Sequence, residues 1–230
     1  MKRRLSLDER LSAVADFVTG GRLLDIGSDH ARLPISLCLS GKIVKALATD
    51  VNPAPLSGAV KNIEKYGLSD RISVLVTDGL RGIDFPSDDV VVAGMGGQLI
   101  SSILENGDYP LEGKNLILQP MTGAADLRAF LSENGYVITE ERLARCVGEK
   151  RIYQIIRARF TGVRYTLSPT EIYFGRRNIE NRDSEPLFDE FLAHGTEYLR
   201  IAVKGDRLSG RDVGIKADAL SGAERLRKIK

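Results

Sequence analysis

The stretch Leu23–His30, LLDIGSDH, decides how the rest of the chain is interpreted. Its first four residues form a short, mostly apolar run, as expected of a buried strand, and Gly27 then begins a tight turn with acidic side chains. A helix is predicted directly afterwards, from about Ala31 to Leu39. Open α/β sheets bind their ligands where such strands end. We therefore expect the ligand site of this protein at this turn.

The bulk composition indicates a globular protein with no global electrostatic preference. The chain has 230 residues, 43% of them hydrophobic, and a formal net charge of only +2, so any nucleic-acid surface must be local. Cys38 and Cys146 lack metal-ligand spacing and are expected to be reduced thiols of a cytoplasmic protein. The basic start Met1–Arg4 is followed by charged residues, which excludes a signal peptide or membrane span. No metal and no membrane partner are expected, and we expect a monomer.

Strand and helix patterns alternate along most of the chain. A first helix is predicted over residues 6–18, capped by Ser6 with Glu9 three residues on. The predicted strands are residues 22–26, 43–49, 72–76, 88–93 and 115–118, and the predicted helices between and after them are 31–39, 52–66, 98–104 and 124–134. Two longer strands, 136–146 and 151–160, are joined by a connector so short that they must be antiparallel.

This order predicts an α/β fold with a doubly wound, mostly parallel sheet and one reversed strand. The main domain is expected to span residues 1–162. Residues 163–230 contain no predicted strand and are expected to form two or three helices, starting near Leu167 and covering about 186–203 and 209–228. We expect these helices to form an antiparallel, coiled-coil-like hairpin that leans on the main domain.

The charge of the turn restricts its ligand. The dinucleotide fingerprint G-x-G-x-x-G is absent, and Asp25 and Asp29 would meet an anionic pyrophosphate at a position otherwise suited to anions. Two carboxylates favour a ligand with a cationic part. S-adenosylmethionine carries a sulfonium and an ammonium there and no phosphate.

The ends of the next strands agree with this ligand. Asp50 can accept hydrogen bonds from two ribose hydroxyls, Asp78 can accept one from the adenine amine, and Gly94 to Gly97 lie where the transferable methyl would sit. Each acid alone has a simpler explanation as a helix cap. The glycines alone could be explained by a tight strand-to-helix turn. The arrangement of all of them after successive strands favours the cofactor.

These residues also carry a family resemblance. The stretch Asp25–Pro34, together with TDVNP at 49–53, GMGG at 94–97 and LQP at 118–120, resembles the bacterial TrmK family of S-adenosylmethionine-dependent tRNA (adenine-22-N1)-methyltransferases. The resemblance extends over essentially the whole chain. It implies a Rossmann-like class I methyltransferase fold with a seven-stranded sheet, its last strand antiparallel, and a small helical C-terminal domain.

The resemblance also implies roles for individual residues. The methionine end of the cofactor is expected at Asp25, Gly27 and Asp29, the ribose at Asp50, and the adenine at Val51 and Asp78–Gly79. Asn52 is also expected to bind the cofactor, and it lies in a region that varies within the family. Arg32 stands where the family usually has an aromatic residue. The target base is expected at Gly94, Met95, Gly96 and Gly97, with Met95 and Gly96 as candidate catalytic residues, and Pro120 is expected to contact the substrate.

Methylation of adenine N1 needs positioning more than proton transfer. The nitrogen has an in-plane lone pair and no proton, so no general base is required, but a paired adenine must first be flipped out. Asp29 is the candidate for stabilising the cationic product or for orienting the amine. His30 is a candidate catalytic residue, as a general base or by orienting the target base; the alternative is a helix-start residue packed near the cofactor.

The predicted antiparallel hairpin is rich in basic residues. Seven lie between Arg142 and Arg164, against the single acid Glu149. Arg145, Lys150 and Arg151 surround its tip, which the reversed strand brings to the cofactor edge of the sheet, where they could hold the phosphates of tRNA. A solvated charge run is the alternative. The C-terminal helices are either a clamp for tRNA or a structural brace.

Two other functions remain compatible with the sequence. The same fold could methylate another RNA site, a protein or a small molecule. A non-catalytic RNA-binding protein could retain the cofactor pocket. The complete set of acids at the strand ends speaks against a degenerate site.

Overall fold

A seven-stranded mixed sheet forms the centre of the computed structural model, which describes residues 5–228; the basic start, Met1–Arg4, lies outside the described residues. The strands are β1 (Gly21–Ile26), β2 (Ile43–Asp50), β3 (Ile72–Val76), β4 (Asp89–Gly96), β5 (Asn115–Thr122), β6 (Tyr136–Ala144) and β7 (Tyr153–Phe160). Their order is β3-β2-β1-β4-β5-β7-β6. Only β7 runs against its neighbours, β5 and β6, which confirms the predicted fold with one reversed strand.

Helices cover both faces of the sheet and extend beyond it. In chain order they are α1 (Glu9–Phe17), α2 (Arg32–Ser40), α3 (Pro53–Tyr66), α4 (Gly97–Asn106), α5 (Ala124–Glu133), α6 (Pro169–Phe174), α7 (Arg176–Glu180), α8 (Phe188–Leu208) and α9 (Gly214–Leu226). The alternation of side chains along β1 explains the layering. Leu23 points into a core shared with α1, α2 and α3, whereas Leu24 and Ile26 point into a second core with α4 and α5. Both strand faces are therefore buried, as is usual for a parallel sheet.

The strand order reverses beside β1. The chain first adds β2 and β3 on one side of β1 and then returns to add β4 and β5 on the other side. The loops after β1 and β4 therefore diverge and leave a crevice between them. Ligands of open α/β sheets bind at this switch point, so the turn after β1 lies at the place that the sequence predicted.

The start of α1 differs from the prediction. Asp8, and not Ser6, is the N-cap, and its carboxylate accepts a hydrogen bond of 2.7 Å from the Leu11 N–H. The Ser6 hydroxyl instead lies near the Leu7 carbonyl. Both residues favour caps, but the helix begins only at Glu9, so Ser6 is too far upstream.

Several strand and helix boundaries near the site also differ. β4 and β5 are longer than predicted, because their pairing continues past two register shifts as far as Gly96 and Thr122. The predicted glycine loop after β4 is therefore mostly strand, and Gly97 begins α4. The antiparallel hairpin has shorter strands and a longer connection than predicted, spanning residues 145–152.

Between residues 163 and 228 there are four helices where two or three were predicted. The short α6 begins at a capping box formed by Ser168 and Glu171, and α8 and α9 pack on each other around a cluster with Phe174, Phe188 and Leu199. The cluster also includes Leu143 of β6, and Leu167 belongs to the core of the sheet, so the domain boundary at residue 162 stays a prediction.

A buried ion pair connects this helical part to the sheet. The Arg128 Nε and the Glu141 Oε1 are 2.6 Å apart, and neither side chain is exposed to solvent. Arg128 also donates to the carbonyls of Ile172 and Tyr173. The Arg177 N–H donates to Glu141. One pair therefore joins α5 and β6 to α6 and α7.

Candidate functional site: the turn after β1

The turn after β1 is held by a small set of local hydrogen bonds. Gly27 adopts a φ of 70°, a conformation that favours glycine. The next residue, Ser28, donates its N–H to the Thr49 carbonyl of β2 at 2.8 Å, and its hydroxyl donates to the Asp25 carboxylate. The turn is therefore fixed to both β1 and β2, and the Asp25 carboxyl group is held in a defined orientation.

Asp25 is a buried acid without a cationic partner. Its side chain is only 6% exposed, and among residues 5–228 no ion pair involves it. Burial raises its pKa from 3.8 to about 7, and the hydrogen bond from Ser28 opposes this shift only in part. A cationic ligand group beside Asp25 would favour the charged form, so the site is suited to such a ligand.

This pKa predicts a pH dependence of stability in the ligand-free protein. Between about pH 4 and about pH 7 the folded state keeps the Asp25 proton while the unfolded state has lost it. The free energy of unfolding should therefore fall as pH rises through this window, by at most about 4 kcal/mol. The measurement is urea unfolding of the wild type and of Asp25→Asn across this pH range. A difference between the two that does not change with pH would contradict the assignment.

The end of β4 approaches the same turn. Gly94 has a φ of 82° at the first register shift between β4 and β5. The Met95 side chain that follows lies over Gly27: a Cβ added to Gly27 would lie 2.0 Å from the Met95 Cε. Gly97 has its own constraint, since a Cβ there would lie 2.2 Å from the Gly123 carbonyl oxygen. The glycines after β1 and β4 thus allow two backbone segments and one flexible side chain to meet.

Two residues without a predicted role, Gln119 and Arg10, connect the end of β4 to the first helix. The fully buried Gln119 of β5 accepts hydrogen bonds on its Oε1 from Arg10 Nη1, at 2.7 Å, and from the Gly94 N–H, at 3.1 Å. Arg10 comes from α1. These contacts join the first helix to the strand ends across more than a hundred residues of sequence, which no local pattern reports.

A cavity of about 300 Å³ lies between these elements. Four of the predicted site residues line it: Asp25, Gly27, Asp29 and Gly94. Its other lining residues include Asp8, Arg10, Ser28, Arg32, Ala93 and Met121. The wall therefore carries charged groups of both signs, which suits a zwitterion better than a simple cation.

The remaining predicted cofactor residues lie outside this cavity. Asp50 ends β2, and its Oδ1 accepts the Asn52 N–H at 2.8 Å, so it forms a turn and does not cap α3. Val51 is 59% exposed. Asp78 and Gly79 line a separate depression of about 100 Å³ beyond β3. The Thr77 N–H donates to the Asp50 carbonyl, so these strand ends are nevertheless neighbours along one edge.

His30 does not line the cavity, although its neighbour Asp29 does. Its Nε2 lies 3.3 Å from the Asp29 Oδ1, and its ring packs over Gly58 of α3. His30 and Ala31 both have positive φ values, 54° and 52°, which is unusual for residues with a side chain. This position favours the interpretation of His30 as a packed residue at the start of the helix.

Two basic residues of the hairpin pair with acids from distant parts of the chain, and the first of them is Arg142, which pairs with Asp16 of α1. Arg145 forms an ion pair with Glu190 of α8 at 2.7 Å. Arg151 donates to the Met121 carbonyl and lies over the Tyr153 ring. Within residues 5–228, Lys150 has neither an ion pair nor a hydrogen bond. Pro120 is buried within β5, and its carbonyl accepts from the Gln119 amide.

Neither a metal site nor a membrane span is found in residues 5–228. No three His, Cys, Asp or Glu side chains of this part are grouped so that they could hold a metal ion. None of its helices combines the length and apolar character that crossing a bilayer requires.

Comparisons with known proteins identify the family. Residues 7–156 match the methyltransferase domain family. The tRNA (adenine(22)-N(1))-methyltransferase of Bacillus subtilis is 41% identical over 140 residues, which are 60% of this chain and 59% of that protein. The chain thus matches about three fifths of that relative's length.

Solved structures extend the similarity over nearly the whole chain. A Streptococcus pneumoniae protein in complex with S-adenosyl-L-methionine is 33% identical, with a TM-score of 0.78 over 94% of this chain and 97% of that one. The B. subtilis m1A22 tRNA methyltransferase TrmK is 28% identical, with a TM-score of 0.77 over 97% of both chains. The chain therefore belongs to the methyltransferase domain family and, within it, to the TrmK family.

Proposed function

We propose that this protein transfers a methyl group from S-adenosylmethionine to N1 of adenine 22 in bacterial tRNA, the reaction named for its B. subtilis relative. The observation that carries the proposal is the buried Asp25, which has no cationic partner among residues 5–228, in the wall of the cavity after β1. A cationic ligand group would stabilise its charged form. S-adenosylmethionine brings two cationic centres, whereas a phosphate-bearing nucleotide brings anionic ones.

The cavity residues fit the amino-acid end of this cofactor. Asp25 and Asp29 offer carboxylate oxygens to its ammonium group. Arg10 and Arg32, on the same wall, offer guanidinium donors to its carboxylate, a pairing that arginine makes well. The Arg32 that departs from the family's aromatic residue therefore gains a role of its own.

The neighbouring strand ends fit the nucleoside end. Asp50 follows β2, and its carboxylate can accept from ribose hydroxyls while Oδ1 also accepts the Asn52 N–H. Val51 offers an exposed apolar surface to the adenine, and Asp78 with Gly79 offers an acceptor for its amine. These residues follow adjacent strands of the sheet, so one extended ligand can reach them from the cavity.

The chain's own task in the reaction is positioning. When bound, S-adenosylmethionine supplies a methyl group on a sulfonium, which the lone pair of adenine N1 can accept without prior loss of a proton. Gly94 lines the cavity without a side chain, and Met95 covers the turn at Gly27. Asp29, which is 79% exposed at the cavity mouth, is the candidate for stabilising the positive charge of the methylated ring.

The test of the proposed function is the transfer of a labelled methyl group to bulk unmodified bacterial tRNA, followed by nucleoside analysis. The proposal expects label in 1-methyladenosine alone. Label in a different nucleoside would contradict the assigned position on the base. Absence of transfer, with S-adenosylmethionine binding intact by calorimetry, would exclude tRNA as the substrate.

The phosphate contacts of tRNA are expected at Lys150 more than at Arg145. Lys150 is exposed and unpaired within the described residues, whereas Glu190 already neutralises Arg145. Lys150→Ala should therefore weaken tRNA binding and reduce the slope of log affinity against log salt concentration by about 1, while Arg145→Ala changes it less. Binding measured over a salt series checks both, with cofactor affinity unchanged in each variant. Equal salt slopes for Lys150→Ala and the wild type would refute this assignment.

Cellular location and oligomeric state belong to the same proposal. A tRNA substrate would be met in the cytoplasm, and we propose that the protein acts there, as a monomer.

A further inference from the structure

A second cleft lies beside the cofactor cavity. Its volume is about 450 Å³, and it opens between the start of α5, the connection from β6 to β7, and the helices α6 and α8. It thus separates the methyltransferase domain from the C-terminal helices. None of the roles assigned above uses its aromatic wall.

Flat aromatic side chains form the helical wall of this cleft. Tyr173 of α6 is half-buried, whereas Tyr198 of α8 is 61% exposed. The neighbouring Phe174 and Phe191 rings meet edge to face, 5.7 Å between centroids, and belong to the helical core. The two tyrosines therefore present the accessible rings. An exposed aromatic ring inside a cleft is typical of a binding site, and nucleobases stack on such rings.

The opposite wall is basic. Lys150 and Arg151 line the cleft, and the side chain of Lys150 has no partner within residues 5–228. The N-terminus of α5 adds backbone N–H groups without a side-chain cap. Asp126 is the one acid among the lining residues of this cleft. Stacking rings opposite two cations suit a base together with its phosphate.

The cleft and the cofactor cavity meet at the end of β5. Met121 lines the cavity, and Gly123, two residues later, lines the cleft. Arg151 bridges them because its guanidinium donates to the Met121 carbonyl. A strand of RNA with one base in the cavity could therefore place a nearby base in the cleft.

We infer that this cleft binds a second, unstacked nucleobase of the tRNA, stacked against Tyr198 and Tyr173 with its phosphate at Lys150. The inference rests on the proposed function. Freeing N1 of a paired adenine requires flipping, which unstacks the base and its neighbours. A site that holds one of these neighbours stabilises the opened RNA while the target base occupies the cavity.

The absence of tryptophan from the chain permits a direct test. Tyr198→Trp places a single tryptophan in the cleft, which can be excited apart from the tyrosines, and Tyr66→Trp, at the end of α3, provides a matched control on the far side of the sheet. Addition of unmodified bacterial tRNA should quench the emission in Tyr198→Trp and leave that of Tyr66→Trp unchanged. In methyl-transfer assays, Tyr198→Ala should raise the KM for tRNA about 5- to 100-fold. Tyr198→Phe should retain the wild-type value, and S-adenosylmethionine affinity should not change in either variant.

The outcomes separate this inference from the function on which it rests. If the wild type forms 1-methyladenosine in tRNA but tRNA leaves the emission of Tyr198→Trp unchanged, the cleft inference is overturned and the proposed function stands. A KM for tRNA that rises as much in Tyr198→Phe as in Tyr198→Ala also overturns it, because a phenyl ring stacks as well as a phenol. If the wild type methylates no tRNA, the proposed function fails, and the inference fails with it.

Discussion

Asp25→Asn is expected to weaken S-adenosylmethionine binding about 10- to 100-fold and, at the same time, to stabilise the ligand-free protein at neutral pH. Asparagine keeps the acceptor for the Ser28 hydroxyl but cannot carry a negative charge. Hydrogen bonds to charged groups contribute about 1.5–3 kcal/mol, which corresponds to this loss of affinity. The gain in stability arises because burial penalises the carboxylate and raises its pKa to about 7.

Calorimetric titration and urea unfolding at about pH 8 measure these two effects on the same samples. Asp70→Asn, at an exposed position after α3, removes the same charge far from the cavity and should alter neither quantity. The prediction is specific because the affinity for S-adenosylmethionine should fall while the free energy of unfolding should rise. A variant that loses cofactor affinity together with stability would indicate that Asp25 is simply a structural residue.

Arg128→Met is expected to lower the free energy of unfolding by about 3–5 kcal/mol, because it leaves the fully buried Glu141 carboxylate without its cation. It also removes donors to the Ile172 and Tyr173 carbonyls and to the Gln154 side chain. Urea unfolding measures the loss. Arg182→Met, which removes an exposed pair with Asp183 at 3.7 Å, is the control and should have little effect.

The double variant Arg128→Met/Glu141→Leu distinguishes the cause of this loss. Apolar residues of similar volume can replace a buried ion pair without net destabilisation, so the double variant should be more stable than Arg128→Met alone. If the double variant is as unstable as the single one, the backbone contacts of Arg128 matter more than its pairing with Glu141.

The fold could be predicted because its signals are local. Apolar runs that end in glycine or aspartate mark the strands, and the short connection before β7 requires an antiparallel pair. The wrong strand ends arise where pairing with a neighbouring strand determines how far a strand continues. β4 continues to Gly96 because β5 pairs with it across two register shifts, and neither strand alone reports that partner.

In the candidate site, too, the residues marked by local signals could be predicted, whereas those placed by long-range contacts could not. Asp25, Gly27, Asp29 and Gly94 could be grouped in advance because the ends of parallel strands meet at one edge of the sheet. Arg10 and Gln119 could not, because their hydrogen bond joins residues 109 positions apart. Counting charges along the hairpin also overestimated its free positive charge, since the acid that neutralises Arg145 lies on α8.

The most direct test of the account compares two tRNA transcripts that differ only at position 22. One carries adenine there, and the other carries guanine, with its pairing partner changed where necessary to preserve the fold. The account predicts methyl transfer from S-adenosylmethionine to the first transcript, recovered as 1-methyladenosine, and none to the second. Equal methylation of both transcripts, or of neither, would contradict it.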